Sequence, residues 1–187
     1  MAVLEILKDA AVPLKKVAKR VNEVDDGLRR LVEDMTETLQ DARGLGLAGN
    51  QVGVLRRVII VMFEEGPRAY INPKIVKWSK NTDSRDEGCL SFPNIYGEVE
   101  RDLCITIEAQ DIELNRQRFT VENLGARIFQ HEIDHLNGIT FLKRAKPDTI
   151  REVVPDDIDD EEEFDDEDND DYGLPKTPVS EIIFDLK

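Results

Sequence analysis

The chain has 187 residues, enough for one domain with a sizeable core, and its two cysteines are too few for a disulfide scaffold. Its formal net charge of −15 is local: 13 acidic residues and no basic one lie between Asp156 and Asp171, whereas residues 1–154 carry 23 Lys and Arg against 25 Asp and Glu. The acidic character therefore describes a tail rather than a binding surface, and no run approaches the roughly 20 apolar residues of a membrane span. The N-terminus, Met1 to Lys8, has neither a long apolar segment nor a transit pattern, so the chain reads as cytoplasmic and complete, with Cys89 and Cys104 as thiols.

In chain order, the first 20 residues mix apolar and basic groups around Pro13 and read as a loosely structured arm over the body. From Val24 to about Ala42, Leu28, Leu31, Val32, Met35 and Leu39 repeat at helical spacing, with Asp25 or Asp26 as cap. The segment Gly44 to Gly53 follows, where small residues let backbone approach a ligand or another strand. It is no phosphate loop, since it lacks Gly-Lys-Ser/Thr and has no strand before it and no helix pattern after it. Arg57–Phe63 reads as a buried strand, Tyr70–Pro73 and Lys74–Trp78 as two short strands broken by Pro73, and Leu103–Ala109 as an alternating strand. Cys104 then points away from the core and reads as a small filler. Cys89 lies on tight backbone between Gly88 and Leu90, in a segment expected to end at Pro93.

The only two histidines, His131 and His135, are four residues apart. On a helix this puts both imidazoles on one face, about 5–6 Å apart at Cβ, close enough to share one metal ion. Glu132 leaves the helix about 100° round from His131 and is better placed to reach a bound water than the ion, which is the H-E-x-x-H arrangement. Leu124, Ile128, His131 and His135 form one stripe, with Phe129, Ile133 and Leu136 beside it. Thr120 is the expected cap, and Asn137-Gly138 the expected left-handed end. Cys89 with the two histidines offers three ligands and leaves a fourth position for water, the pattern of a catalytic rather than a structural metal.

The Gly-rich segment ending in Gln51, Glu87-Gly88-Cys89-Leu90-Ser91 and Gln130-His131-Glu132-Ile133-Asp134-His135 resemble, in order and spacing, the three motifs of the peptide deformylase family. The resemblance covers about residues 1–147. It departs at Gly49, where the family usually has alanine, and at Asn50, where proline is common. It implies an α+β fold of mixed small sheets around a central metal-binding helix, in a single compact domain, and removal of the formyl group from N-terminal formylmethionine. By position it implies that Cys89, His131 and His135 hold one divalent metal ion, with Fe²⁺ favoured and Zn²⁺ the alternative. Glu132 is then the catalytic carboxylate, and Gln51 and the Leu90 N–H form the oxyanion site. Leu45, Leu124 and Ile128 correspond to the methionine pocket, and Gly46 backbone pairs with the substrate chain. Arg127 is expected to face a carboxylate rather than the pocket.

These readings divide the chain into a catalytic domain, 1–150, and an acidic extension, 151–187, ending in the apolar segment Val179–Leu186. The acidic run is too charged to bury a core and reads as disordered; the apolar end is expected to dock on the body or a partner. The tail lacks the basic character that attracts RNA phosphates, so a ribosome contact is expected through the body. Two alternatives to a deformylase remain open: an H-E-x-x-H metallopeptidase, or a deformylase-like binding module without catalysis.

Overall fold

The apolar run after Arg57 is buried on both faces, and this decides the layering. In β2 (Val58–Phe63) successive side chains point opposite ways. Val58 and Ile60 join a cluster under the first helix, α1 (Asp26–Asp41), whereas Ile59, Val61 and Phe63 join one under the second, α2 (Asn123–Leu136). A strand covered on both sides cannot alternate with polar residues, hence the unbroken apolar sequence. The computed structural model describes residues 2–9, 11–153, 173–179 and 181–182.

Within them, β1 (Gly46–Ala48), β2, β3 (Gly66–Trp78), β6 (Cys104–Gln110), β7 (Arg116–Glu122) and β9 (Glu181–Ile182) form a six-stranded antiparallel sheet in the order β1-β2-β3-β6-β7-β9. A second sheet has β4 (Thr82–Cys89), β5 (Phe92–Asp102) and β8 (Arg151–Glu152), also antiparallel. Asp25 caps α1, accepting from the Leu28 N–H at 2.5 Å, and Leu28, Leu31, Met35 and Leu39 face the sheet as their spacing requires. On the other face Phe129 of α2 meets Tyr70, Phe119 and Phe63 at ring separations of 4.9, 5.5 and 6.4 Å. Burying a side chain of this kind contributes roughly 1.5–3 kcal/mol.

Several expectations are corrected. Pro73 does not break the strand: β3 runs through it, and the pairing with β6 shifts by one residue between Ile71 and Lys74. Such a bulge takes a residue without an N–H at no loss of ladder bonding. Asn72, at φ 53°, makes the bend, and its amide accepts from the Val21 N–H and donates to Val21 O and Gln110 Oε1. Pro93 lies inside β5 rather than ending the Cys89 segment. Thr120 does not cap α2; it is in β7, where its hydroxyl meets that of Thr106, and α2 starts after Glu122 without a side-chain cap. The other end is as expected, with Asn137 at the C-cap and Gly138 at φ 70°.

The N-terminal arm is irregular yet pinned. Leu14 is fully buried, Ala18 N–H donates to Leu136 O, and Asn50 Nδ2 donates to Lys16 O and Pro13 O. At the other end of the chain, Glu181–Ile182 pairs with Gln117 and Arg118 of β7, so this part of the apolar segment docks on the body. The acidic run read as disordered, and Ile183–Leu186, lie outside the described residues. Asn72→Ala leaves the buried N–H and carbonyl of Val21 and the half-buried Gln110 amide without this partner and keeps a left-handed backbone; a loss of about 2–4 kcal/mol is expected in urea unfolding.

Candidate metal centre and cleft

The site is built where the β4–β5 hairpin meets α2. Cys89 is the last residue of β4 and pairs with Phe92 across the two-residue turn Leu90-Ser91, which turns its thiol toward the helix. His131 and His135 face it from successive turns of α2, with ring centroids 4.9 Å apart. Cys89 Sγ lies 3.2 Å from His135 Nε2, and one ligand atom from each of Cys89, His131 and His135 falls within 4.8 Å of the others.

Behind this cluster is a carboxylate with three partners. Glu87 Oε2 is 2.9 Å from His131 Nδ1, which leaves Nε2 for the cluster. The same carboxylate accepts from Arg101 Nε and Nη2 at 2.9 and 3.0 Å, and from Arg127 Nη1 at 2.9 Å. Arg101 also reaches Asp134 at 2.6 Å, and Arg144 holds Asp134 from outside. Burial alone would raise the Glu87 pKa, but the bonds from His131 and Arg101 reverse this and hold it well below the usual carboxylate range.

The imidazoles are driven apart. Burial opposes a charge on each; at His131 the contacts with Cys89 and Glu87 outweigh it and raise the pKa well above the ordinary value. At His135 burial, with the positive charges of His131 and Arg101, pushes it well down. Glu132 is pushed up to about 7, chiefly by burial; the opposing pull of His131, the repulsion of Glu87 and the pull of Arg101 follow in that order. Its Oε2 is buried without a hydrogen-bond partner, as is His135 Nδ1. Gly46 makes room for it: a Cβ there would lie 2.4 Å from Glu132 Oε1.

These side chains open on a cleft of about 520 Å³. Of the residues singled out in the sequence, Leu45, Gly46, Gln51, Cys89, Leu90, Leu124, Ile128, His131 and Glu132 line it, and His135 lies fully buried behind. Gln51 is fixed at one end, its Oε1 accepting from the Ala48 N–H at 2.8 Å; its Nε2 faces Cys89 Sγ at 3.5 Å and Ser91 Oγ at 3.4 Å. Arg127 meets Glu87, as expected, while its edge also lines the cleft. Sequence reasoning missed Glu87, Arg101 and Ser91. The one available signal was that Glu87 is two residues before Cys89, hence on the same face once the segment is a strand.

A divalent ion fits the three donors. The three donor atoms lie within 4.8 Å of one another, with Cys89 Sγ 3.2 Å from His135 Nε2, close enough to share one ion. The donor set is one thiolate and two imidazoles, with His131 oriented through Nδ1 by a carboxylate, as metal-binding histidines usually are. A metallopeptidase reading loses support here, because the third donor comes from a strand cysteine rather than a downstream His or Glu.

Comparison with known proteins agrees. The family model described as polypeptide deformylase matches residues 3–150. A peptide deformylase of Desulforudis audaxviator is 40% identical over 146 residues, 78% of this chain and 95% of that protein. The crystal structure of the peptide deformylase from Thermotoga maritima superposes with a TM-score of 0.76 at 37% identity, covering 79% of this chain and 100% of that one. A Met-Ala-Ser-bound peptide deformylase from Acinetobacter baumannii does so with a TM-score of 0.73 at 31% identity, covering 76% and 98%. The motifs, the fold around α2 and the match over most of its length together mean that the chain belongs to the polypeptide deformylase family.

Proposed function

We propose that this chain acts on N-formylmethionyl peptides through the Cys89, His131 and His135 cleft. It is a peptide deformylase, a hydrolase that removes the N-formyl group from the N-terminal formylmethionine of newly made polypeptides. The observation that carries the reading is the convergence of the three donors, Glu132, Gln51 and the Leu90 turn on one cleft.

In this reading Cys89, His131 and His135 hold one divalent ion. Fe²⁺ is favoured by family resemblance, while the donor set also suits Zn²⁺. When bound, the ion supplies Lewis-acid activation of water and of the formyl carbonyl. Glu132 takes the proton from the attacking water as the water oxygen bonds to the formyl carbon. The Gln51 amide and the Leu90 N–H donate to the oxygen that becomes anionic, an effect of about 3–4 kcal/mol per donor in comparable sites. Glu132 then returns its proton to the departing nitrogen as the C–N bond breaks, giving formate and a free α-amine. A carboxyl group with a pKa near 7 suits both halves of this exchange.

Leu45, Leu124 and Ile128 form the apolar wall for the methionine side chain. β1 is an edge strand of the large sheet, so the backbone at Gly46 is available to pair with an extended substrate. The same reading puts the catalytic unit at 1–150 and the extension at 151–187, assigns the enzyme to the cytoplasm where new chains emerge, and gives any ribosome contact to the body rather than to the acidic tail. No helix among the described residues is long and apolar enough to cross a membrane.

Anaerobically purified, Fe²⁺-loaded protein is expected to release formate from formyl-Met-Ala-Ser, and Glu132→Gln to retain the ion but lose about 10³-fold in kcat. A folded, metal-loaded wild type that releases none would leave the binding-module reading. Glu132 also has a stability signature. Its folded pKa is raised from 4.5 to about 7, so the unfolded chain loses that proton first and stability falls as pH rises through this window. Metal-free Glu132→Gln is therefore expected to be more stable than wild type above pH 7, by up to about 3 kcal/mol, with the gap closing toward acid pH in urea unfolding.

A further inference from the structure

The arm residues Leu7–Asp9 bond to both segments that carry the oxyanion donors. Leu7 N–H donates to Gln51 O at 2.7 Å, and Asp9 N–H to Ser91 O at 2.9 Å. Between them the Lys8 ammonium donates to Leu90 O at 2.6 Å. Both carbonyls of the two-residue turn after Cys89 are thus held from outside, and the strut that holds them is anchored on the Gln51 segment. Of the three bonds only that of Lys8 comes from a side chain, so it can be removed without disturbing the backbone.

The turn needs such a hold. The central peptide of a tight turn, here Leu90–Ser91, is the unit that flips between turn types, with ψ of its first residue changing by about 150°. That flip turns the Leu90 carbonyl and the Ser91 N–H, while the Leu90 N–H, in the preceding peptide, is displaced with the Leu90 Cα when the turn shifts. Burial does not prevent this, since Leu90 is only half-buried at the cleft. A charge-assisted bond to the Leu90 carbonyl does prevent it, because the flip would break the bond.

We propose that Lys8 is a positioning residue for deformylation. Its bond ties the Leu90 backbone to the strut that holds Gln51 O and so fixes the spacing between the Leu90 N–H and the Gln51 amide. The inference rests on the oxyanion roles assigned above. Lys8 itself lines the cleft, so the test must separate positioning from substrate contact.

The experiment compares Lys8→Met, Lys8→Gln and Lys8→Arg in the full-length, metal-loaded chain with formyl-Met-Ala-Ser. The Leu90 carbonyl ¹³C resonance is followed in parallel in the metal-free proteins. Lys8→Met and Lys8→Gln are expected to lower kcat about tenfold with KM within about twofold of wild type, since misplacing a donor affects mainly the transition state. The Leu90 carbonyl should move upfield in both, and Lys8→Arg should restore the resonance and most of kcat. Urea midpoints should be unchanged, because the Lys8 side chain is exposed. Unchanged kcat in an active enzyme overturns the proposal, as does a rise in KM at constant kcat, which would make Lys8 a substrate contact. A loss that tracks a lowered urea midpoint and is not rescued by arginine also overturns it. A silent wild type overturns the reading of the site itself, and the role of Lys8 with it.

Discussion

A carboxylate taken out of water must be met by charge, and the buried Glu87 is met by Arg101, Arg127 and the imidazole of His131 at the back of the cleft. The network goes on through Arg101 to Asp134, one residue before His135. Buried ions of this kind are weak evidence for stability, because desolvation offsets much of their attraction, whereas removing one partner costs about 3–5 kcal/mol. Their effect here is geometric. Glu87 belongs to β4, Arg101 to β5, and Arg127, His131 and Asp134 to α2, so only one register of the hairpin on the helix satisfies them all. That register brings the Cys89 thiol to 3.2 Å from His135. The clustering of Cys89, His131 and His135 is thus a consequence of a charge constraint one layer behind it.

In front of that layer the balance is reversed. Glu132 is buried with one oxygen unpartnered, and a glycine opposite leaves space for it. Folding holds this carboxyl at a pKa near 7 against the preference of the isolated side chain. Proton transfer near neutral pH benefits from the same environment that penalises the folded state. Glu87 and Glu132 thus carry the same functional group within one site, driven in opposite directions by what surrounds each.

The departures from the family pattern also find physical meaning. Asn50, where proline is common, is buried and donates to two carbonyls of the arm, at Lys16 and Pro13. It ties the Gly-rich segment to the N-terminal arm. The arm in turn reaches the Leu90 turn, so Gln51, Leu90 and Ser91 belong to one bonded framework.

Helix α1 was legible because Leu28, Leu31, Met35 and Leu39 repeat at 3.6, and α2 because its apolar and histidine stripes coincide. β2 was legible because a doubly covered strand must be apolar. The cluster of Cys89, His131 and His135 was legible because Cys and His are rare here and chemically specific. The hairpin that presents Cys89 was not legible: β4 reads Thr-Asp-Ser-Arg-Asp-Glu-Gly-Cys, with no apolar alternation, since part of its buried face is ionic. The bulge at Asn72 was hidden as well, because the side-chain bonds that stabilise it come from Val21 and Gln110, far away in the chain. The sequence by itself determined the chemistry available, namely one thiolate, two imidazoles four apart and a glutamate between them. Only the tertiary structure decided how that chemistry is aimed, because the orienting carboxylate, the guanidinium groups that keep it charged and the arm behind the turn act through space between segments that local periodicity does not connect.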